Sequence, residues 1–438
     1  MNKAVQWKLF LMMILEFFIW GAWLPLIYGY LPSLGFTTLQ QTLILNAFPL
    51  ASIIGMFFSN QFADRNFAAE KFLGFSQLVG GVAMLGLGFT RDFWTFFILM
   101  SIHCLLYVPT LSIVNSITFA HLKDSKQFGL VRMGGSIGWI LAAWPFTFIF
   151  VDWNKVSAAH ITGFTDWLFT ALGSGLKGAE LQNATRWTFI VAAIASLLLA
   201  LFSFVLPHTP ARKAASVKDK FAWEEALRLL TKPFVLVLWI VTFADAFVLY
   251  CYFNWAGAFL SSPQVGIKGN WVMPIMSIGQ VAEILTMAVL GLALKHFGWR
   301  TTMIFGIAGH LVRFLVFAFL PQATFLIVAV NVLHGICYAF FFAAVFIFVE
   351  EHFPSDARAS AQGLFNMMIL GLGAIAANTL GPWLLQKVFT HDGITDFRGL
   401  FLVPCGVALL AMVIMALFFH PPDRGAEPAA VVGEPARA

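Results

Sequence analysis

The sequence predicts an all-α polytopic membrane protein of twelve transmembrane helices arranged as two six-helix halves. Three observations carry that expectation. Charged residues make up 11% of the 438-residue chain and apolar residues 60%, whereas soluble domains carry about 25% charged residues. Twelve stretches are apolar over the roughly 20 residues that a helix needs to cross a bilayer. Short fragments of the first half also recur in the second at a fixed offset, as a duplicated unit would give.

The first apolar run follows MNKAVQWK and ends near Tyr30. It is too long for a signal-peptide core and lacks a small-residue cleavage site, so it reads as a retained helix. Further spans fall at about 41–63, 72–90, 94–119, 130–151, 186–207, 233–260, 271–294, 301–320, 323–349, 359–388 and 399–420. The expected domains are an N-terminal half (1–207), a cytoplasmic linker (208–232), a C-terminal half (233–420) and a disordered tail (421–438). The tail is rich in Pro, Ala and Gly and has too little apolar content to fold. The linker is the most charged part of the chain, and 218–230 could form an amphipathic helix on the membrane surface. The loop 152–185 carries an apolar patch from Trp167 to Leu172 and either folds over the outer mouth or lies passively on the surface.

Of the 26 basic residues, 17 fall in segments on the side of the N-terminus and 7 on the opposite side. That imbalance predicts both termini in the cytoplasm and explains the net charge of +5 through membrane topology, so no nucleic-acid partner is expected. Cys104, Cys251, Cys337 and Cys405 all lie in apolar stretches with no C-x-x-C pair, a usage that implies neither disulfides nor a metal. No Gly-rich phosphate loop, zinc spacing or nucleophile triad occurs. Neither a cofactor nor an enzymatic activity is therefore expected.

The polar residues inside the spans carry the functional signal. Ser277, Gln280 and Glu283 are spaced by three within one apolar run and share about a third of a helix circumference. Glu283 sits in mid-span, where an unpaired charge costs roughly 2.5–3.5 kcal/mol, so it is expected to face a bundle interior or aqueous path. The other reading is a structural hydrogen bond to a neighbouring helix. Arg132, Ser136 and Trp139 present a cation, a hydroxyl and a ring along one face of the fifth span, with Gly134, Gly135 and Gly138 allowing close approach. Alternatively Arg132 snorkels to the boundary and Trp139 only packs. Glu16 and Asp245 are two further mid-membrane carboxyls that could carry a proton, because a carboxyl removed from water is readily neutralised. A hydrogen bond near a helix end is an equal reading for Asp245. Arg313 could partner any of the three carboxyls or be purely structural. His103 reads as a core histidine, while His334 is favoured for function because Tyr338 shares its face.

The repeat is visible at two places. His103-Cys-Leu-Leu-Tyr107 recurs as His334-Gly-Ile-Cys-Tyr338, and the loop Asn60 to Arg65 aligns with Gly291 to His296, both offset by 231 residues. Duplicated six-helix halves with a site between them describe the major facilitator architecture. Ala63-Asp64-Arg65 and Gly291-x-x-x-Lys295-x-x-Gly298-x-Arg300 resemble its cytoplasmic loop motif, so Asp64, Arg65, Lys295 and Arg300 are candidate gating charges. The first copy departs from the motif, with Asn60 where glycine is usual.

At Tyr107-Val-Pro-Thr-Leu-Ser-Ile-Val-Asn115-Ser-Ile-Thr, Arg132-x-x-Gly135-Ser-Ile-Gly138, Ser277-Ile-Gly-Gln280-Val-Ala-Glu283, Phe348-Val-Glu350, Ala357-Arg-Ala-Ser-Ala-Gln-Gly363 and Gly393-Ile-Thr-Asp396, the chain resembles the bacterial nucleoside:proton symporter family of the major facilitator superfamily. The resemblance implies substrate contacts at Arg132, Ser136, Trp139, Gln280, Glu283, His334 and Tyr338. On the seventh span it implies contacts near Tyr250, Phe253 and Asn254. Candidate proton-coupling residues are Glu283, Glu16 and Asp245. Two positions depart from the family: Glu16 stands where an amide is common, and Ala339 where an aspartate is. The implied function is import of nucleosides by proton symport across the bacterial inner membrane, as a monomer with the bilayer, nucleosides and protons as partners. An uncoupled facilitator, a transporter for a sugar or other polar solute, and a receptor that has lost transport are the alternatives.

Overall fold

The computed structural model describes residues 3–55, 67–122, 128–211, 228, 230–353 and 358–421. The expected linker, apart from its ends, and the tail beyond 421 lie outside the described residues, as do Asp64 and Arg65. Among the described residues, each of the twelve expected spans contains helix, and 56–63 of the second lie outside the described residues. The first six are Lys3–Ser33, Thr38–Leu45 with Ala47–Ile54, Ala69–Leu87, Phe93–His121, Phe128–Ala143 and Arg186–Phe202. The seventh is Pro233–Ser261. The eighth and ninth form one run, Gly269–Phe319, turned at Gly298. The tenth runs through Thr324–Ala329, Val332–Cys337, Tyr338–Ala343 and Ala344–His352. The eleventh is built from Arg358–Asn366, Met367–Leu372, Gly373–Trp383 and Leu384–Val388, and the twelfth is Phe397–Phe418.

Several local features depart from the expected boundaries for identifiable reasons. The second span begins at Thr37, whose side chain caps Gln40 in a capping box, and breaks at Asn46. The fifth ends at Ala143, followed by a turn through Trp144 and Pro145 and a short helix at Phe146–Ile149. Gly298 takes φ 73°, a left-handed conformation that lets the chain reverse between the eighth and ninth spans without strain. The loop 152–185 is not irregular: it folds into Trp153–Ala158, Phe164–Gly173 and Gly178–Ala184. A two-stranded hairpin, Thr390–His391 with Ile394–Thr395, was not expected. Its turn is Asp392-Gly393, both at positive φ (51° and 76°), the Asp-Gly chemistry that two-residue hairpins prefer. The tenth and eleventh spans contain π-helical turns at Tyr338–Ala343, Met367–Leu372 and Leu384–Val388, a feature often found at functional sites.

Helix packing shows the duplication directly. In the N-terminal half the first span packs on the fifth and sixth, the third on the fourth and sixth, and the second on the fourth. Six spans later, the seventh packs on the eleventh and twelfth. Phe314 and Phe317 of the ninth meet Phe401 of the twelfth, and Gly279 of the eighth meets His334 of the tenth. Between the halves, the first span lies against the seventh, the second against the eleventh and the fifth against the eighth.

Candidate functional site

The site lies where the fifth and eighth spans cross between the halves. Ser136 Oγ donates to Glu283 Oε1 at 3.3 Å. Among the described residues this hydrogen bond joins the halves near mid-span. The others that cross between the halves gather on the face opposite the N-terminus. There Gln386 and Gln41 exchange amide hydrogen bonds at 2.6 and 3.3 Å, Asn46 donates to Thr379 at 3.0 Å, and Asn378 donates to the Leu45 carbonyl at 2.9 Å. Asn270, fully buried at the start of the eighth span, donates to the Thr147 and Leu172 carbonyls at 3.2 Å each. Trp271 Nε1 reaches the same Leu172 carbonyl at 3.0 Å, and Lys268 donates to the Gly173 carbonyl. The helices of the 152–185 loop are thereby fastened to the C-terminal half.

Around Glu283, Arg132 stacks its guanidinium over Phe17 at 4.0 Å, and both Arg132 and Tyr338 lie within electrostatic reach of the Glu283 carboxyl. Trp139 meets Trp20 edge-on at 5.3 Å and Phe253 of the opposite half at 6.2 Å. Trp20 stacks on Phe48 at 4.7 Å, and its buried Nε1 has no hydrogen-bond partner. The eighth and tenth spans touch backbone to backbone, because a Cβ at Gly335 would overlap the Glu283 amide and come within 2.6 Å of the Gly279 carbonyl. That contact fixes Glu283 against the helix that carries Tyr338. The Gln280 side-chain amide turns back along its own helix, and with its nitrogen assigned to the end that faces the Met276 and Ser277 carbonyls it donates to them at 3.1 and 3.3 Å. Ser277 in turn donates to the Pro274 carbonyl at 2.7 Å, the local side-chain-to-backbone bond that a helical serine makes.

The remaining candidates are placed elsewhere. Asn254 is buried and donates to the Tyr250 carbonyl at 2.9 Å and to Asn378 at 3.0 Å, so it fastens the seventh span to the eleventh. Tyr250 is buried with its ring 6.2 Å from Phe253. His334 turns toward Arg313, whose Nη1 lies 2.9 Å from its Nδ1, and presents its ring to Phe253 at 5.7 Å. Asp245 is fully buried near His310 of the ninth span. Glu16 faces inward on the N-terminal half: Thr110 Oγ1 donates to Oε1 at 2.6 Å and Gln77 Nε2 to Oε2 at 2.8 Å. Tyr107 donates to the Glu16 carbonyl at 2.6 Å, and Ser196 holds Gln77 at 2.7 Å. His103 stacks on Tyr107 at 5.2 Å and contacts the Gly80 carbonyl at 3.1 Å. Lys295 and Arg300 are exposed on either side of the Gly298 turn. Gln77, Thr110, Trp20 and His310 were not singled out from sequence. The one available signal was their polarity inside apolar runs and, for His310, its position three residues before Arg313 on one helix. Among the described residues, no group of three or more His, Cys, Asp or Glu is placed to hold a metal.

Two duplicated six-helix bundles that meet at charged and aromatic side chains in mid-span define a secondary transporter of the major facilitator fold. A sequence profile of the nucleoside H+ symporter family matches residues 1–176 and 163–424. The chain belongs to that family. It is 27% identical over 429 residues to the putative nucleoside transporter YegT of Escherichia coli (strain K12), covering 95% of this chain and 94% of that one. It is 24% identical over 439 residues to the nucleoside permease NupG of the same organism, covering 95% and 96%. The crystal structure of the nucleoside transporter NupG superposes with a TM-score of 0.77 at 22% identity, covering 96% of this chain and 99% of that one. The protein is thus a multi-pass membrane transporter and not an enzyme.

Proposed function

We propose that the protein imports nucleosides together with protons by alternating access, as a monomer in the bacterial cytoplasmic membrane with both termini in the cytoplasm. The observation that carries this reading is the Ser136–Glu283 contact between the halves, flanked by Arg132 and by rings from both sides. A nucleoside offers a flat base and a ribose with vicinal hydroxyls. Trp139, Phe253 and Tyr338 supply faces for the base, an interaction worth about 1–3 kcal/mol per base in nucleic-acid sites. Glu283 accepts from ribose hydroxyls, while Arg132, Ser136 and Gln280 serve base edges and the remaining hydroxyl. Breaking the Ser136–Glu283 bond to admit substrate exchanges one hydrogen bond for several. A neutral substrate requires an external driving force, and one proton through 100 mV supplies about 2.3 kcal/mol, or roughly 50-fold accumulation. The candidate proton carriers are the two carboxyls of the C-terminal half, Glu283 at the substrate and Asp245 behind it, and one proton per cycle requires only one of them. Glu16 already has both oxygens occupied, which supports a structural role. Lys295 and Arg300, with Asp64 and Arg65, form the cytoplasmic gating charges.

A second reading, an uncoupled facilitator, rests on Ala339, a small residue fully buried in the π-helical turn after Tyr338. Uptake of labelled uridine and adenosine into proteoliposomes, with an inward proton gradient and again with protonophore, separates the two. Accumulation that collapses with the gradient supports symport, and uptake that only equilibrates supports the facilitator. Uptake of neither nucleoside, with sugars transported instead, overturns the substrate assignment.

A further inference from the structure

Behind the substrate site, the C-terminal half encloses a four-residue ionisable cluster drawn from three spans. Asp245 of the seventh span, His310 and Arg313 of the ninth are each 0% exposed, and His334 of the tenth is 3% exposed. Arg313 Nη2 lies 2.9 Å from His310 Nδ1 and its Nη1 lies 2.9 Å from His334 Nδ1. A guanidinium can only donate, so both Nδ1 atoms accept and each ring carries its hydrogen on Nε2. The His310 Nε2–H therefore faces Asp245 Oδ2, at 3.8 Å. That separation is beyond hydrogen-bonding distance, and neither Asp245 oxygen, nor His310 Nε2, nor Arg313 Nε has a partner. The other titratable groups facing the cluster are Tyr252, whose ring lies 4.0 Å under the guanidinium and whose hydroxyl donates to Asn331 at 2.8 Å, and Cys337.

A purely structural ion pair would close this gap, since a buried charge left short of its partner costs several kcal/mol more than one that is paired. A carboxyl that alternates between holding a proton and closing onto an imidazole requires just such a gap. We propose that Asp245, His310, Arg313 and His334 form the proton-holding unit of the transport cycle, with Asp245 as the carrier. The proton enters from the outer side onto the Asp245 carboxylate and leaves Asp245 to the inner side when the seventh span moves toward the ninth and His310 closes on the freed carboxylate. One proton is taken up and one released per cycle, and Arg313 keeps its charge throughout. Asp245 shares the seventh span with Phe253, and His334 meets Phe253 ring to ring, so substrate binding and the Asp245–His310 separation are linked through one helix.

This inference rests on the symport reading, and the test keeps the two apart. Wild-type, Asp245→Asn and His310→Gln proteins are reconstituted and assayed for nucleoside accumulation under a proton gradient and for counterflow exchange without one. Each purified protein is also titrated by infrared difference spectroscopy for the carbonyl band of a protonated carboxyl. The expected result is a roughly 50-fold wild-type accumulation per 100 mV falling to equilibration in Asp245→Asn, with counterflow persisting and one titrating carboxyl band lost. Accumulation by Asp245→Asn equal to wild type overturns the proposal, as does loss of counterflow in both variants together with an unchanged band. If the wild type moves no nucleoside, the substrate reading fails. The infrared titration then decides the proton unit alone, since a band present in wild type and absent in Asp245→Asn upholds it, and no such band refutes it.

Discussion

Replacing Glu283 by glutamine isolates the contribution of one negative charge at the meeting of the two halves. The substitution is nearly isosteric, and the amide oxygen can still accept from Ser136 across the 3.3 Å contact, so the packing of the eighth span on the tenth at Gly335 is left intact. What changes is the strength of the bonds offered to the substrate. A hydrogen bond to a charged group contributes about 1.5–3 kcal/mol and one to a neutral group about 0.5–1.5 kcal/mol. Loss of charge assistance at a single ribose hydroxyl therefore costs about 1 kcal/mol, and at two hydroxyls about 2 kcal/mol. Arg132, which faces Glu283, also loses its counter-charge and becomes free to compete for substrate acceptors. The expected result is a 5- to 30-fold rise in KM for uridine in counterflow exchange, with a smaller effect on a 2′-deoxynucleoside, which presents one hydroxyl fewer. Counterflow needs no proton gradient, so the assay reads binding and reorientation without coupling. A KM within twofold of wild type for both substrates would refute the placement of Glu283 on the ribose.

Other substitutions probe the remaining contacts. Trp139→Ala removes the ring between Trp20 and Phe253 and should raise KM by about 5- to 150-fold, the range of one base-stacking interaction, with Trp139→Phe recovering part of it in the same uptake assay. Glu16→Ala removes the acceptor that Thr110 and Gln77 share, leaving Thr110 Oγ1 to donate to the Tyr107 carbonyl and Gln77 Nε2 to Thr110 Oγ1. It should destabilise the N-terminal half by about 0.5–1.5 kcal/mol per hydrogen bond lost, read as a fall in Tm in detergent, whereas Glu16→Gln should cost less. Gly335→Val drives a side chain into the Glu283 backbone and should abolish transport while Gly406→Ala, where a Cβ meets nothing within 4 Å, leaves it intact. Asp92 caps the fourth span, and the N–H and hydroxyl of Thr95 hold its carboxyl below the usual carboxylate range. A folded pKa below the unfolded value gives a contribution complete above about pH 4 and lost as pH falls further, so amide exchange at 93–96 should accelerate only below that pH.

The amino-acid sequence determined the membrane class, the twelve spans and the duplication, because a bilayer demands long apolar helices and a repeat leaves equal offsets such as His103 and His334. It also marked Arg132, Ser136 and Glu283, since a polar residue in an apolar run is expensive and so conspicuous. Which polar residues meet was decided by tertiary structure alone. Glu16 and Glu283 look alike as isolated mid-span carboxyls, yet one is enclosed by Thr110 and Gln77 within its own half and the other faces Ser136 across the interface. His103 and His334 occupy equivalent places in the repeat, but one binds a backbone carbonyl and the other an arginine. The 152–185 helices and the clasp made by Lys268, Asn270 and Trp271 were equally hidden. A hydrogen bond between residues more than a hundred positions apart depends on helix rotation and crossing, which small residues such as Gly335 set through contact and which no local pattern encodes.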